Sequence, residues 1–175
     1  MTISATTATP FDSVDLRNTL GKFATGVTVI TARGADGRPV GMTANSFTSV
    51  SLDPPLLLFC LANSAGSLPD FVAAEAFAIH VLSADQHLLS RQFATPAADK
   101  FAGLNVAEDA AGVPEIEGVL ARFSCRTVSR TQEGDHTIFI GQVENYKKLD
   151  GDPLLFFSGG YRLSQEHPAA PSRRQ

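Results

Sequence analysis

No apolar run in this sequence approaches the roughly 20 residues that cross a bilayer as a helix, and no secretory leader is evident, so a soluble cytoplasmic protein is expected. Basic residues are in short supply. Against 18 acidic side chains there are 14 basic ones, for a formal net charge of −4, and no basic stripe precedes the Ser-Arg-Arg of the tail. That balance argues against nucleic acid as a partner. Cysteine is scarce too: Cys60 and Cys125 each sit inside an apolar run, where a free thiol behaves as a small inert hydrophobe. A catalytic triad, a pair of acid-base carboxylates, a His and Cys spacing suited to metal, and a P-loop are all missing. The glycines at 34, 37 and 41 lack the spacing of a dinucleotide fingerprint and no helix follows them, so a Rossmann unit is a poor reading. Neither an internal repeat nor a domain boundary is visible.

What is present is concentrated in residues 41–67, GMTANSFTSVSLDPPLLLFCLANSAGS. Here Thr43, Asn45, Ser46, Thr48, Ser49 and Ser51 alternate with apolar residues, and Asp53 is the one charge. Such a surface can hold a flat amphipathic ring, which needs apolar contact on its faces and neutral donors and acceptors along an edge. Composition alone fits a threonine- and serine-rich sheet edge equally well.

At 175 residues the chain is one domain with room for a core. Residues 1–10 and 165–175 read as loose tails around a domain at 11–164. His167 falls in the second tail, where an exposed, idle role is expected. From Asp12 or Ser13, Leu16, Leu20 and Phe23 recur as one face of a helix that Gly26 could stop. VTVITAR alternates, GADGRP turns, and residues 27–47 predict a hairpin. The continuous run LLLFCLA predicts a central strand covered on both faces. SLPDFVAAEA predicts a short helix with a serine cap, leading to the strand FAIHVL. In that strand His80 lies opposite Ile79 and Val81, which suits a hydrogen-bonded structural histidine. ADQHLLSRQFA predicts a helix with Leu88 or Leu89 and Phe93 on one side and His87 and Arg91 on a solvated one. Residues 95–118 predict a weakly patterned excursion over the sheet. VLARFSCRTVSRT alternates as a strand with one wet face, QEGD turns, HTIFIGQVENYKKL pairs back, and LLFF is a last strand before SGGYRL.

The blocks GVTVIT, residues 41–67, RQFA, DKFAGL, GDHTIFIGQV and PLLFFSGGY, in this order over residues 16–161, resemble the short-chain flavin reductases that serve two-component monooxygenases. The resemblance implies a mainly β chain with peripheral helices, an FMN-binding split β-barrel of Greek-key type, assembled as a homodimer. It implies hydride transfer from NADH, with NADPH the weaker option, to FMN or FAD, and delivery of reduced flavin to a monooxygenase partner. Flavin contacts are then expected from Thr43, Ala44, Asn45, Ser46, Ser49, Val50 and Ser51 in the first polar block. Leu61, Ala62, Asn63, Ser64 and Ser67 are expected from the second, the last at a helix start that favours a phosphate. Phe93, Ala94 and Lys100 complete the pocket. His136, at a strand start after a Gly-Asp turn, is placed beside the nicotinamide as the catalytic residue, and Tyr161 on the pyridine-nucleotide side. Arg162 could neutralise phosphates there.

Hydride transfer between stacked rings obliges no side chain to act as nucleophile or base, so the missing catalytic motifs are compatible with this reading. Two others compete. A non-catalytic split-barrel binder of flavin or haem would want an axial ligand, and none of the four histidines is well placed for one. A pyridoxamine-phosphate type of oxidase would want more arginine and lysine in the core blocks.

Overall fold

The computed structural model describes residues 11–169. The expected tails at 1–10 and 170–175 lie outside the described residues, and 165–169 carry no helix or strand. Helix α1 (Ser13–Leu20) starts where Asp12 accepts from the N–H groups of Val14 and Asp15. It stops at Gly21 rather than Gly26, the Gly21 N–H closing the last turn on Arg17 O. Phe23 is therefore past the helix, and Leu16, Leu20 and Phe23 are all exposed. Strands β1 (Thr25–Gly26), β2 (Thr28–Arg33), β3 (Pro39–Ala44), β4 (Thr48–Leu52) and β5 (Pro55–Ala62) follow. Helix α2 (Leu68–Ala73), strand β6 (Ala76–Val81) and helix α3 (His87–Ala94) come next. The expected excursion contains a small hairpin, β7 (Val106–Glu108) and β8 (Pro114–Ile116). Its turn forms because Asp109 accepts from the N–H groups of Ala111 and Val113. The long pair β9 (Ala121–Glu133) and β10 (His136–Lys148) and the short β11 (Leu155–Phe157) and β12 (Gly160–Arg162) finish the chain.

Seven strands form one antiparallel sheet in the order β3-β2-β6-β9-β10-β5-β4. Inward residues from six of them, among them Ile30, Met42, Phe59, Phe77, Cys125 and Phe139, meet in a single apolar cluster, so the sheet curls around one core. Phe59 and Phe139 stack at 4.8 Å, with Phe77 edge-on to Phe59 at 5.1 Å. The chain is thus mainly β with peripheral helices, as expected.

Two strands exchange their expected roles. The run LLLFCLA alternates in burial: Leu57, Phe59 and Leu61 are buried, while Leu56, Leu58 and Cys60 are half-exposed. β5 has a strand on either side, and among the described residues its second face is only partly covered, so within one chain the unbroken apolar run does not give two buried faces. Cys60 is accordingly not a core residue, although burial raises both thiols, that of Cys125 to about 12. The doubly covered strand is β2, whose alternating threonines are buried. Thr28 donates to Ala44 O and Thr31 to Pro114 O, which removes the cost of burying their hydroxyls. Over β2 lies a second cluster of Val27, Val29, Leu82, Phe93, Phe101 and Ile116.

His80 joins these layers. It is fully buried, and its Nε2 accepts from the Ile116 N–H at 3.1 Å, which puts the proton on Nδ1 to donate to Val29 O at 3.1 Å. The wet face expected for β9 is also partly covered, since Arg122 turns under β8 to pair with the buried Glu115 at 2.6 Å. Burial raises the Glu115 carboxyl, and Arg122 opposes that shift. Among the described residues no helix is long and apolar enough to cross a membrane.

Candidate functional site

Besides Arg38, Leu61 and Asp70, the residues that make the main concavity come in four groups. β3 supplies Val40, Gly41, Met42 and Thr43; the loop after β5 supplies residues 64–67; α3 supplies Phe93 and Ala94; and the segment behind it supplies residues 96–98, Lys100 and Phe101. Together they enclose a cleft of about 500 Å³. Gly41 sets its depth. A Cβ there would stand 2.5 Å from Phe93 Cε1, so the bare backbone is what lets the Phe93 ring close the wall. That ring is fully buried and meets Phe101 edge-on at 4.9 Å.

Polar groups converge on the same cleft. Ser67 caps α2 by position but makes no side-chain cap bond, so its hydroxyl is available. Thr43 Oγ1 donates to Ser90 O at 2.6 Å, which fixes its rotamer and leaves its lone pairs free to accept. Lys100 bends back to donate to Phe93 O at 2.7 Å, and burial lowers its ammonium. Gln92 holds the Lys100 segment by donating to Lys100 O and Ala102 O. At the opposite end Arg38 pairs with Asp70 at 2.7 Å and with Asp36 at 3.2 Å. The sequence does not single out Arg38 and Asp70, because the Gly-Arg-Pro of a hairpin turn looks purely structural. An arginine at the first turn of a strand flanking the polar block was the available signal.

Of the residues expected at the site, Thr43, Leu61, Ser64, Ser67, Phe93, Ala94 and Lys100 line the cleft. The others are not among the residues that line it. Asn45 is exposed just past β3, and Ala44 is buried beneath. Ser46 both accepts from Cys60 N–H at 2.9 Å and donates to Cys60 O at 3.1 Å, pinning this bend to β5. Ser49, Val50 and Ser51 belong to the edge strand β4, with a bulge between Ser49 and Ser51. Tyr161 is not on the cleft; its hydroxyl donates to Ser90 Oγ at 2.8 Å and its ring packs on Phe156. Arg162 folds back to donate to Tyr161 O.

Ala62 stands in register with His136 at the end of the β5/β10 ladder, one residue before Asn63 and the cleft-lining loop. His136 is exposed, with Nδ1 2.7 Å from Asp135 Oδ1, a bond that lowers the Asp135 carboxyl. Held this way, the imidazole turns Nε2 outward from its own partner. Among the described residues no group of three His, Cys, Asp or Glu is placed to hold a metal ion, and His80 has both nitrogens committed.

The donor set fits a flavin. Met42, Leu61 and Phe93 would give apolar contact, Thr43, Ser64 and Ser67 neutral hydroxyls, and Lys100 positive charge for a phosphate, while Arg38 is taken up by Asp36 and Asp70. Asp70, the one carboxylate on the wall, is already paired with Arg38.

Comparison with known proteins agrees in kind. The family model of the Flavin reductase like domain matches residues 20–164. The FMN reductase (NADH) SmoA of Agrobacterium fabrum is 51% identical over 156 residues, which span 89% of this chain and 88% of that protein. The reductase component of the flavin-dependent trigonelline monooxygenase of Acinetobacter baylyi is 44% identical over 84% of this chain but 47% of its own length. The chain thus spans about half of that relative. Among solved structures, the NADH:FAD oxidoreductase SgcE6 of Streptomyces globisporus, in complex with NAD and FAD fragments, superposes with a TM-score of 0.84. It is 39% identical and covers 95% of this chain and 100% of its own.

Proposed function

This chain belongs to the flavin reductase-like domain family, and on that premise we propose that it is an NADH-dependent reductase of FMN or FAD, supplying reduced flavin to a separate monooxygenase. The observation that carries the reading is the cleft between β3, α3 and the 64–67 loop, apolar on its floor and lined by hydroxyls and by Lys100, with Arg38 and Asp70 paired at its other end. Flavin supplies the electron-accepting ring when bound, and NADH the hydride. The chain's own residues hold, orient and exclude water. Met42, Leu61 and Phe93 shield one side of the cleft, while Thr43, Ser64 and Ser67 offer hydrogen bonds without net charge. Lys100 keeps ammonium protons beyond the one given to Phe93 O, and these face a phosphate. Asn45 and residues 49–51 are outside the cleft lining, and in this proposal they accept or donate along the ring's polar edge. His136, with Nδ1 fixed by Asp135, offers Nε2 to the nicotinamide carboxamide. Tyr161 reaches the site only through Ser90.

The direct test mixes protein, NADH and either flavin and follows the nicotinamide absorbance. Absence of flavin-dependent NADH oxidation with both flavins refutes the assignment. In the same assay His136→Ala is expected to lower kcat/KM for NADH about tenfold while flavin affinity changes less than about twofold. Equal loss in flavin binding would move His136 to the flavin.

A homodimer is part of the proposal. Leu56, Leu58, Ile138 and Ile140 form a half-exposed apolar face on the β5/β10 pair, and α1 leaves Val14, Leu16 and Leu20 exposed. A second copy would cover these surfaces. Ile140→Asp places a charge on that face, and a monomer by light scattering is the expected result; an unchanged dimer would locate the interface elsewhere. A cytoplasmic setting, where NADH and an oxygenase partner are at hand, suits the same reading.

A further inference from the structure

Asn63 brackets the histidine turn. Its backbone N–H donates to Asp135 O at 2.8 Å. Its Nδ2 donates to Gly134 O at 3.3 Å, and its Oδ1 accepts from Thr137 Oγ1 at 2.8 Å. The three bonds touch residues 134, 135 and 137, on both sides of His136. Gly134 O can only accept, so the amide nitrogen must face it and the amide oxygen must face Thr137; the orientation is fixed by chemistry. Neither aspartate, which lacks the donor, nor serine, which is too short to span both partners, could do the same.

The place of these bonds matters. The β9/β10 hairpin closes the turn through the pair Glu133 and His136, whereas on the other side the β5/β10 ladder ends with Ala62 and His136, so Asn63 is what ties the tip of the hairpin to the β5 side. Thr137 is buried at 7% exposure, which shields its bond to Asn63 from competing water. Directly after Asn63 the chain becomes the wall of the cleft, residues 64–67. One amide therefore links that wall to the turn that carries the histidine, with its nitrogen and its oxygen each engaged once on that turn.

We infer that Asn63 is a positioning residue rather than a flavin contact: through Thr137 and Gly134 it holds His136 in the place from which it meets the nicotinamide. This rests on the role given to His136 above. Loosening the turn displaces the imidazole relative to the bound nucleotide, and small displacements of that kind lower rate without emptying the cleft.

The test uses the full chain and four variants, Asn63→Ala, Thr137→Val, Thr137→Ser and His136→Ala, together with the Asn63→Ala/His136→Ala double variant. Steady-state NADH kinetics, flavin affinity by fluorescence quenching, and Tm are read for each. Asn63→Ala and Thr137→Val are each expected to lower kcat/KM for NADH about tenfold, with flavin Kd within about twofold of the parent. Thr137→Ser keeps the hydroxyl and restores activity. In the His136→Ala background Asn63→Ala is expected to add no further loss, because its effect runs through the imidazole. A rise in flavin Kd on Asn63→Ala, or a full additional loss in the double variant, or unchanged kinetics in both Asn63→Ala and Thr137→Val, overturns the inference while leaving the His136 role intact. A silent His136→Ala overturns the nicotinamide assignment itself, and this one with it. Should Asn63→Ala fail to fold, the contrast between Thr137→Val and Thr137→Ser separates the same outcomes: activity lost in the first and kept in the second supports the inference, and equal activity in both overturns it.

Discussion

Replacing Gly41 by valine is expected to weaken flavin binding at least about a hundredfold, equivalent to about 2.7 kcal/mol, and to lower Tm in the same protein. A Cβ at this position would stand 2.5 Å from Phe93 Cε1, 2.7 Å from Phe93 Cδ1 and 3.3 Å from Phe101 Cζ. The Phe93 ring has no space to retreat into, being fully buried and edge-on to Phe101. Nor can α3 swing away freely, since Ser90 in its middle is bonded by both Thr43 and Tyr161. The overpacking is worth about 1–3 kcal/mol of stability. What strain remains is relieved by shifting the end of α3, which carries Phe93, Ala94 and, through its bond to Phe93 O, Lys100. Those are three residues of the cleft wall. Gly41→Ala should move both readouts in the same direction by less. Flavin titration and thermal melting of the purified variants check this, and a folded Gly41→Val with parental flavin affinity would show that the flavin binds elsewhere.

The second large effect is acid instability centred on His80. Burial, with help from Arg122 facing it across the β6/β9 pair, lowers the imidazole from 6.5 to about 4, against the opposing pull of Val29 O. Between those values the unfolded chain takes up a proton that the native state refuses. Stability is therefore complete above pH 6.5 and falls as pH drops toward 4, with a slope of about 1.4 kcal/mol per pH unit and a total of about 3 kcal/mol across the window. His80→Gln can still donate and accept but does not titrate. Urea denaturation at both ends of the window should show a steeper acid loss in the parent than in His80→Gln. Parallel loss in the two would assign the acid limb to other groups; Glu115 is not one of them, since burial raises its carboxyl and the native state takes up that proton more readily than the unfolded chain. His80→Leu is the harsher change: it leaves the buried Ile116 N–H unpaired, at about 1–3 kcal/mol, and loosens β8 from the sheet.

His80 also shows how far the sequence could be read. Its place on the pleat opposite Ile79 and Val81 follows from a two-residue period, and a polar ring on a buried strand must be hydrogen-bonded. Its partners could not be named, because Val29 is 51 residues away and Ile116 is 36 residues away. The site divides similarly. Thr43, Ser64, Ser67, Phe93 and Lys100 were legible as blocks in a family's order and do share one cleft. Arg38 and Asp70 were not, since their pairing depends on the β2/β3 turn lying against α2. Asn63 reads as a ligand from its neighbours in the chain, whereas its amide is committed across 74 residues to Thr137.

Local chemistry settled where strands, turns and caps fall: the β-branched run at 28–33, the Asp12 cap, the turn around Gly37, the Gly-Asp tip before His136. Those choices depend on residues within a few positions of one another, so one dimension holds all the information. Which strand is enclosed on both faces, which hydroxyls are free and which hold the frame, and which residue steadies the histidine depend on what the curled sheet brings alongside. Burial and hydrogen-bond partnership are properties of neighbours in space, and here the deciding neighbours stand dozens of residues away in the chain.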